Sequence, residues 1–161
     1  MRPYLDKTVP EAWRAATAFS TEVLKAALRR GLTVHEAELI KLRASQLNGC
    51  AFCLDLHSRE ARIAGLPQQK LDLLPAWRET SVFDERERAV LAVAEASTVL
   101  PLSEESAADL FGARSVLGDE TFVAAEWVAV TINAFNRISI LSAHPVRPRD
   151  AAGELLGRAP L

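Results

Sequence analysis

Two cysteines, Cys50 and Cys53, are the side chains of this sequence whose type and spacing most favour chemistry. The first residues lack the apolar core of an export signal, so we expect a cytoplasmic protein, and structural disulfides are rare in that compartment. A disulfide between these positions would also close a very short loop and add little stability. The pair is therefore predicted to be reactive or metal-binding rather than structural.

A histidine, His57, follows Cys53 by one helical turn and therefore shares its face on any helix that contains both. It can exchange a proton with the Cys53 sulfur or hold a water that does. The spacing of the cysteines allows the two sulfurs to join in one disulfide. Together the three side chains resemble a reactive thiol, a resolving thiol and a base.

Two other interpretations of the cysteine pair compete with redox chemistry. The pair and His57 can ligate zinc, but a structural zinc site takes four protein ligands, and the remaining histidines are His35 and His144. Free cysteines also commonly pack as small, inert apolar residues. A thioredoxin-like fold is excluded because no predicted strand precedes the pair. We favour redox chemistry over both alternatives.

The elements that position these residues are predicted to be helices throughout, because no stretch alternates convincingly as a strand would. Capping boxes at Thr33–Glu36 and Asp84–Glu87 and a stop at Asn48–Gly49 mark three helix ends. Together with the other caps, glycines and prolines, they predict helices at about 10–30, 33–47, 50–65, 84–99, 103–118 and 119–143, with a short helical turn near 68–74. The cysteines fall at the start of the third of these helices. Unpaired backbone N–H groups and the helix dipole favour a thiolate there.

Composition and charge limit the kinds of partner that the protein is expected to bind. The chain has 161 residues and a net charge of -2, so it is predicted to form one domain without a general attraction to nucleic acid. The last helix is apolar nearly all round, but polar residues interrupt it too often for a membrane span. We therefore expect its surplus apolar surface to form a subunit interface. We divide the chain into a helical domain, 1–144, and a Pro- and Gly-containing tail, 145–161.

Two polar positions are ambiguous from the residues alone. Glu38 precedes Lys41 by one turn, so an ordinary surface ion pair is the favoured interpretation. Asn136 and Arg137 lie late in the apolar last helix, where buried polar groups need partners. A role in tying helices together is favoured for them over substrate binding.

Several segments together resemble the alkylhydroperoxidase, AhpD-like branch of the carboxymuconolactone decarboxylase family. They are the stretch from Glu38 to Arg43, the stretch from Gln46 to Cys53, and His57, followed by residues 74–78, 83–91 and 133–137. The resemblance spans most of the chain. As a combined pattern it is specific, whereas any single segment would be weak.

The resemblance implies an all-helical domain that assembles into trimers or hexamers and reduces peroxides with a dithiol or protein reductant, without a cofactor or metal. Cys53 would take the peroxide oxygen, and Cys50 would donate a proton and close the disulfide. Glu38 and His57 would form a proton relay, which reverses the surface interpretation of Glu38. Burial in such a relay is expected to raise the pKa of Glu38. One difference is Phe52, which stands where the family's first representative has a histidine.

Three functions remain open from the sequence. The leading one is a thiol-dependent peroxidase, or a disulfide reductase, that uses Cys50 and Cys53. The second is decarboxylase-like proton transfer by Glu38 and His57, although decarboxylases of the family lack the cysteine pair. The third is a non-enzymatic helical assembly that senses redox state or binds metal.

Overall fold

The computed structural model describes residues 2–156, and its regular elements are all helices apart from one isolated bridge between Arg149 and Leu155. The predicted all-α class is confirmed. In chain order the elements are α1 (Leu5–Thr8), α2 (Pro10–Arg29), α3 (Val34–Asn48), α4 (Ala51–Ile63), α5 (Gln68–Leu73), a 3-10 helix (Leu74–Glu79), α6 (Glu85–Thr98), α7 (Glu104–Leu117) and α8 (Asp119–Ser142). The short α1 was not predicted.

Side-chain caps fix the starts of four helices, α3, α4, α6 and α7. The Thr33 side chain accepts a hydrogen bond from the backbone N–H of Glu36, whose carboxylate accepts one from the backbone N–H of Thr33. Asp84 and Glu87 form the same capping box at the start of α6. Both predicted boxes are confirmed, and they matter here because the first fixes the start of α3.

The core lies on two sides of α3. Ile40 belongs to an apolar cluster shared with α2, α6, α7 and α8, whereas Leu39 belongs to a second cluster shared with α4, the 3-10 helix and α6. Both residues are completely buried. Because α3 is covered on both sides, a charged residue beside Leu39 also lies inside the protein. That residue is Glu38.

A large apolar surface remains open on α2 and α8. Phe19 and Trp127 pack edge to face, with their ring centroids 5.9 Å apart, yet their exposed fractions are 42% and 52%. Val123 and Val130 are about half exposed on the same helix as Trp127. A subunit interface would cover this surface, and such an interface stays a prediction. Within residues 2–156, no helix is long and apolar enough to cross a membrane.

The segment after α8 contacts the helix that carries the cysteines. The Nε atom of Arg149 lies 3.5 Å from Oδ1 of Asp55 on α4. Apart from Arg149, residues 145–156 are exposed, and residues 157–161 lie outside the described residues. The division into domain and tail stays a prediction.

Candidate functional site

The cysteines lie at the start of α4 and form a disulfide with each other. Cys50 is the N-cap residue, one position before the helix begins, and its Sγ accepts a hydrogen bond of 3.3 Å from the backbone N–H of Cys53. Only 1% of Cys50 and 3% of Cys53 is exposed. The predicted placement at a helix N-terminus is confirmed, and the pair is in its oxidised form.

The turn that leads into the disulfide is fixed to α8. Gly49 adopts a left-handed conformation with φ of 68°, which ends α3 and redirects the chain. The side-chain amide of Asn48 donates hydrogen bonds to Oδ1 of Asn133 and Oδ1 of Asn136. Asn136 in turn donates one to Oγ of Ser45. Asn136 therefore ties α3 to α8, as predicted.

His57 lies inside the protein and contacts two carboxylates. Its Nδ1 atom is 3.1 Å from Oε2 of Glu38 and 3.0 Å from Oε2 of Glu60. A carboxylate only accepts hydrogen bonds, so Nδ1 carries the hydrogen and donates it. The lone pair of the neutral imidazole is then on Nε2. Glu38 and His57 thus lie in direct contact, as the resemblance implied.

Glu38 also forms the ion pair with Lys41 that the spacing suggested. The Nζ atom of Lys41 lies 2.7 Å from Oε1 of Glu38, while His57 contacts the other carboxylate oxygen. Only 5% of Glu38 is exposed, so the surface interpretation is wrong. Its physical reason is the burial of both sides of α3.

The charges around His57 shift the protonation of the whole group. Burial alone would raise the pKa of Glu38, but the hydrogen bond from His57 and the charge of Lys41 outweigh it and lower that pKa. Burial opposes the charged imidazole, yet hydrogen bonds to Glu38 and Glu60 raise the pKa of His57. The hydrogen bond from His57 lowers the pKa of Glu60. The expected rise in the pKa of Glu38 is therefore wrong, because its neighbours are cationic.

Glu60 is the residue at this site that the sequence analysis missed. It follows His57 by three positions on α4, so the two side chains share a helix face. That spacing was the available signal. Unlike Glu38, whose side chain is 7% exposed, the Glu60 side chain is 45% exposed.

A cavity of about 480 Å³ opens beside the disulfide, between α2, α4 and α8. Cys53 and His57 are among its lining residues, whereas Cys50 is not. Its walls are mostly apolar, and Trp13 and Phe135 meet edge to face in them with ring centroids 5.5 Å apart. The other apolar lining residues are Val23, Leu24, Phe52, Leu56, Val128 and Ile132. A cavity of this size and polarity suits a small organic molecule.

The other two histidines each contact an oxygen atom of another residue. The Nε2 atom of His35 lies 2.7 Å from the carbonyl oxygen of Ala64, and Nε2 of His144 lies 3.0 Å from Oδ1 of Asp6. His144 also packs against Phe52, with ring centroids 5.2 Å apart. Among residues 2–156, neither cysteine belongs to a group of three or more candidate metal ligands.

A second group of side chains has the types and spacing for a metal. In the described part of the chain, Glu38, His57 and Glu60 bring one ligand atom each within 4.8 Å of one another. The ammonium of Lys41, bound to Glu38, opposes a cation at that position. The arrangement favours proton exchange at His57 over metal binding.

Comparison with known proteins places this geometry in context. The Carboxymuconolactone decarboxylase family matches residues 10–96, which include Glu38, both cysteines and His57. The chain is 38% identical over 103 residues to the uncharacterized protein YdfG of Bacillus subtilis, an alignment covering 64% of this chain and 70% of that protein. It is 32% identical over 69 residues to the uncharacterized protein YnjA of Escherichia coli, covering 43% of this chain and 38% of that protein.

A solved structure is also similar over nearly the whole chain. It is the crystal structure of a protein of unknown function from Agrobacterium tumefaciens, described as a candidate antioxidant defence protein AhpD. The TM-score is 0.79 at 36% identity, with 90% of this chain and 98% of that chain covered. The matched residues, the helical fold and the cysteine pair at a helix N-terminus agree with one another. The chain belongs to the carboxymuconolactone decarboxylase family and has an AhpD-like fold.

Proposed function

We propose that this protein is a thiol-dependent peroxidase that reduces organic hydroperoxides through Cys53 and Cys50, with His57 and Glu38 as its proton relay. The observation that carries the proposal is the cavity, because Cys53 and His57 both line it and Cys50 does not. A peroxide in the cavity meets Cys53 first. Cys50, which forms the disulfide with Cys53, would then resolve the oxidised sulfur.

The reaction balances with these groups alone and an external dithiol. The Cys53 thiol gives its proton to Nε2 of His57, and the thiolate attacks the terminal oxygen of the hydroperoxide. The O–O bond breaks, Cys53 becomes a sulfenic acid, and the leaving alkoxide takes the proton from His57 to form an alcohol. The Cys50 sulfur then attacks the Cys53 sulfur, and hydroxide leaves with the Cys50 proton as water. A dithiol reduces the resulting disulfide by exchange.

The role of Glu38 in this cycle is electrostatic. Lys41 and His57 keep Glu38 ionised, so Glu38 does not receive the thiol proton near neutral pH. It holds the hydrogen on Nδ1 of His57 and stabilises the imidazolium that forms when Nε2 takes a proton. This is the part of an orienting carboxylate rather than that of the base itself.

The cavity favours organic hydroperoxides over hydrogen peroxide. Its apolar walls gain from burying a hydrocarbon group, whereas hydrogen peroxide has none to bury. A hydroperoxide with a compact apolar group fits this lining.

The proposal is tested with the reduced protein, cumene hydroperoxide and dithiothreitol. We expect peroxide consumption, one intramolecular disulfide per chain, and loss of turnover in Cys53→Ser. In Cys50→Ser, a sulfenic acid should be trapped on Cys53 and identified by mass spectrometry. Both thiols remaining free after peroxide treatment would remove the redox function. A label on Cys50 in the Cys53→Ser variant would invert the assigned roles.

The same variants separate the alternative functions. Decarboxylase-like proton transfer would survive in Cys53→Ser, because it needs only Glu38 and His57. A redox sensor would form the disulfide without multiple turnovers. Metal analysis of the purified protein tests the metal-binding alternative.

We further propose that the protein acts in the cytoplasm as a homo-oligomer, a trimer or hexamer, joined through the apolar surface of α2 and α8. The exposed Phe19 and Trp127 support this, since a surface of this kind is rarely left open. Sedimentation at micromolar concentration tests it, and a purely monomeric species would contradict it.

A further inference from the structure

His57 contacts one carboxylate more than the relay requires. A single acceptor is enough to hold the hydrogen on Nδ1, yet Glu38 and Glu60 lie at nearly equal distances, 3.1 Å and 3.0 Å. The two acids come from different helices and differ strongly in exposure. The contact between Glu60 and His57 therefore has a role other than holding that hydrogen.

The charges of the two acids are not equally available to His57. Glu38 is bonded to Lys41 through Oε1, so its negative charge is shared between an ammonium and the imidazole. For Glu60, His57 is the one ion-pair partner among residues 2–156. If His57 is protonated, the two carboxylates balance the two cations. Without Glu60, an imidazolium and an ammonium would share a single carboxylate.

We propose that Glu60 is a positioning residue that sets the proton affinity of His57, because it supplies the negative charge that Glu38 has already committed to Lys41. Glu38 fixes the imidazole from the buried side, and Glu60 balances its charge from the side near solvent. Nε2 makes no hydrogen bond to the described residues and stays available toward the cavity that His57 lines. This inference rests on His57 exchanging protons in the proposed function.

Every titratable or charged group that faces His57 enters this balance. Glu38 and Lys41 come from α3, and Cys53 and Glu60 come from α4. Across the cavity, Asp6 and His144 are bonded to each other. In the oxidised protein Cys53 does not titrate, so the effect of Glu60 can be measured without a thiol in the balance.

The experiment is an NMR titration of the oxidised protein, following the carbon-bound protons of the His57 ring against pH. His57→Gln assigns the signal. Glu60→Gln keeps an acceptor oxygen and the side-chain shape but removes the charge, so we expect the His57 midpoint to move to lower pH by about half a unit, as suits a half-exposed neighbour. Glu60→Asp, which keeps the charge, should give a smaller change. Asp55→Asn removes the same charge from α4 at a side chain bonded to Arg59, and should leave the midpoint in place.

An unchanged midpoint in Glu60→Gln would overturn the proposal. An equal shift in Asp55→Asn would also overturn it, since the effect would then be one of net charge. Because the titration needs no peroxide, it gives an answer even if the peroxidase function is wrong. If turnover is found, the pH profile of kcat/KM should move in the same direction in Glu60→Gln while the protein stays folded.

Discussion

The side-chain amide of Asn48 donates a hydrogen bond of 2.9 Å to Oδ1 of Asn136, across 88 positions of sequence. Asn136 is completely buried and passes the contact on to Ser45. The turn that precedes Cys50 is therefore attached to α8 through a chain of side-chain hydrogen bonds. A buried chain of this kind is stabilising only when every member is satisfied.

Replacing Asn136 by Ala should therefore destabilise the fold and loosen the turn before Cys50. Two polar side chains, Asn48 and Ser45, each lose a hydrogen bond, so we expect the free energy of unfolding to fall by about 2–4 kcal/mol. Urea denaturation measures this. Arg137→Ala is the control, because among residues 2–156 the Arg137 side chain bonds only within its own helix, to Asn133. Equal losses in the two variants would contradict the structural role of Asn136.

Glu38→Gln should lower both the peroxidase rate and the stability. The rate should fall by roughly ten- to a thousandfold, because His57 loses the carboxylate that orients it and stabilises its charged form, which weakens acid–base assistance by His57. The free energy of unfolding should fall by about 1–3 kcal/mol, because the partly buried Lys41 loses its carboxylate. Rates are compared at a temperature where both proteins are folded. Glu22→Gln, which removes an exposed pair with Lys25, should change neither quantity appreciably. A near-native rate in Glu38→Gln would remove Glu38 from the relay.

The free energy of unfolding of the oxidised protein should depend on pH on both sides of a plateau. The pKa of Glu38 is lowered in the folded state, so its contribution is present above the unfolded value of 4.5 and is lost as pH falls through the folded pKa. The pKa of His57 is raised, so its contribution is complete below 6.5 and is lost as pH rises through the folded pKa. Both contributions are therefore present between about 4.5 and 6.5.

Denaturation of His57→Gln across this range provides the measurement. The difference in stability from the native sequence should be largest on the plateau and shrink toward alkaline pH. A difference that stays constant from pH 6 to pH 9 would show that the interactions of His57 do not depend on its charge.

Trp13→Ala should change the choice of substrate more than the chemistry. Trp13 belongs to the apolar wall, so its removal takes away surface that a hydrocarbon group would contact. We expect kcat/KM for cumene hydroperoxide to fall about tenfold, and that for hydrogen peroxide to change by less than about twofold. Phe111→Ala, at a residue that is 74% exposed, is the matched control. Equal losses for both peroxides would place the organic substrate elsewhere.

Helix boundaries were predictable because their signals are local. The Thr33 box, the Asp84 box and the Asn48–Gly49 stop each lie within a few residues of the end they fix. The four-residue α1 could not be predicted, because so short a segment has no periodic apolar pattern. The placement of Cys53 and His57 on one buried helix face followed from their spacing.

The environment of the acids was not predictable in the same way. Leu39 and Ile40 pack into different clusters, so α3 lacks the polar face that would have shown where Glu38 points. The pKa of Glu38 depends on His57, which reaches it from another helix. Only the resemblance to a family gave Glu38 a chemical role, and it gave no signal for Glu60.

Helix α8 contains two kinds of position, which differ in whether the protein can tolerate substitution there. The groups of the proposed reaction lie on α3, on α4 and at the N-cap of α4, inside the segment matched by the family, whereas Val128, Ile132 and Phe135 line the cavity from α8, outside that segment. Substitutions at these three positions can change which molecules fit the cavity without removing the groups of the proposed reaction. Asn133 and Asn136, on the same helix, do not share that freedom, because they hold the turn before Cys50. One helix thus carries both residues that can vary and residues that hold the turn before the cysteines in place.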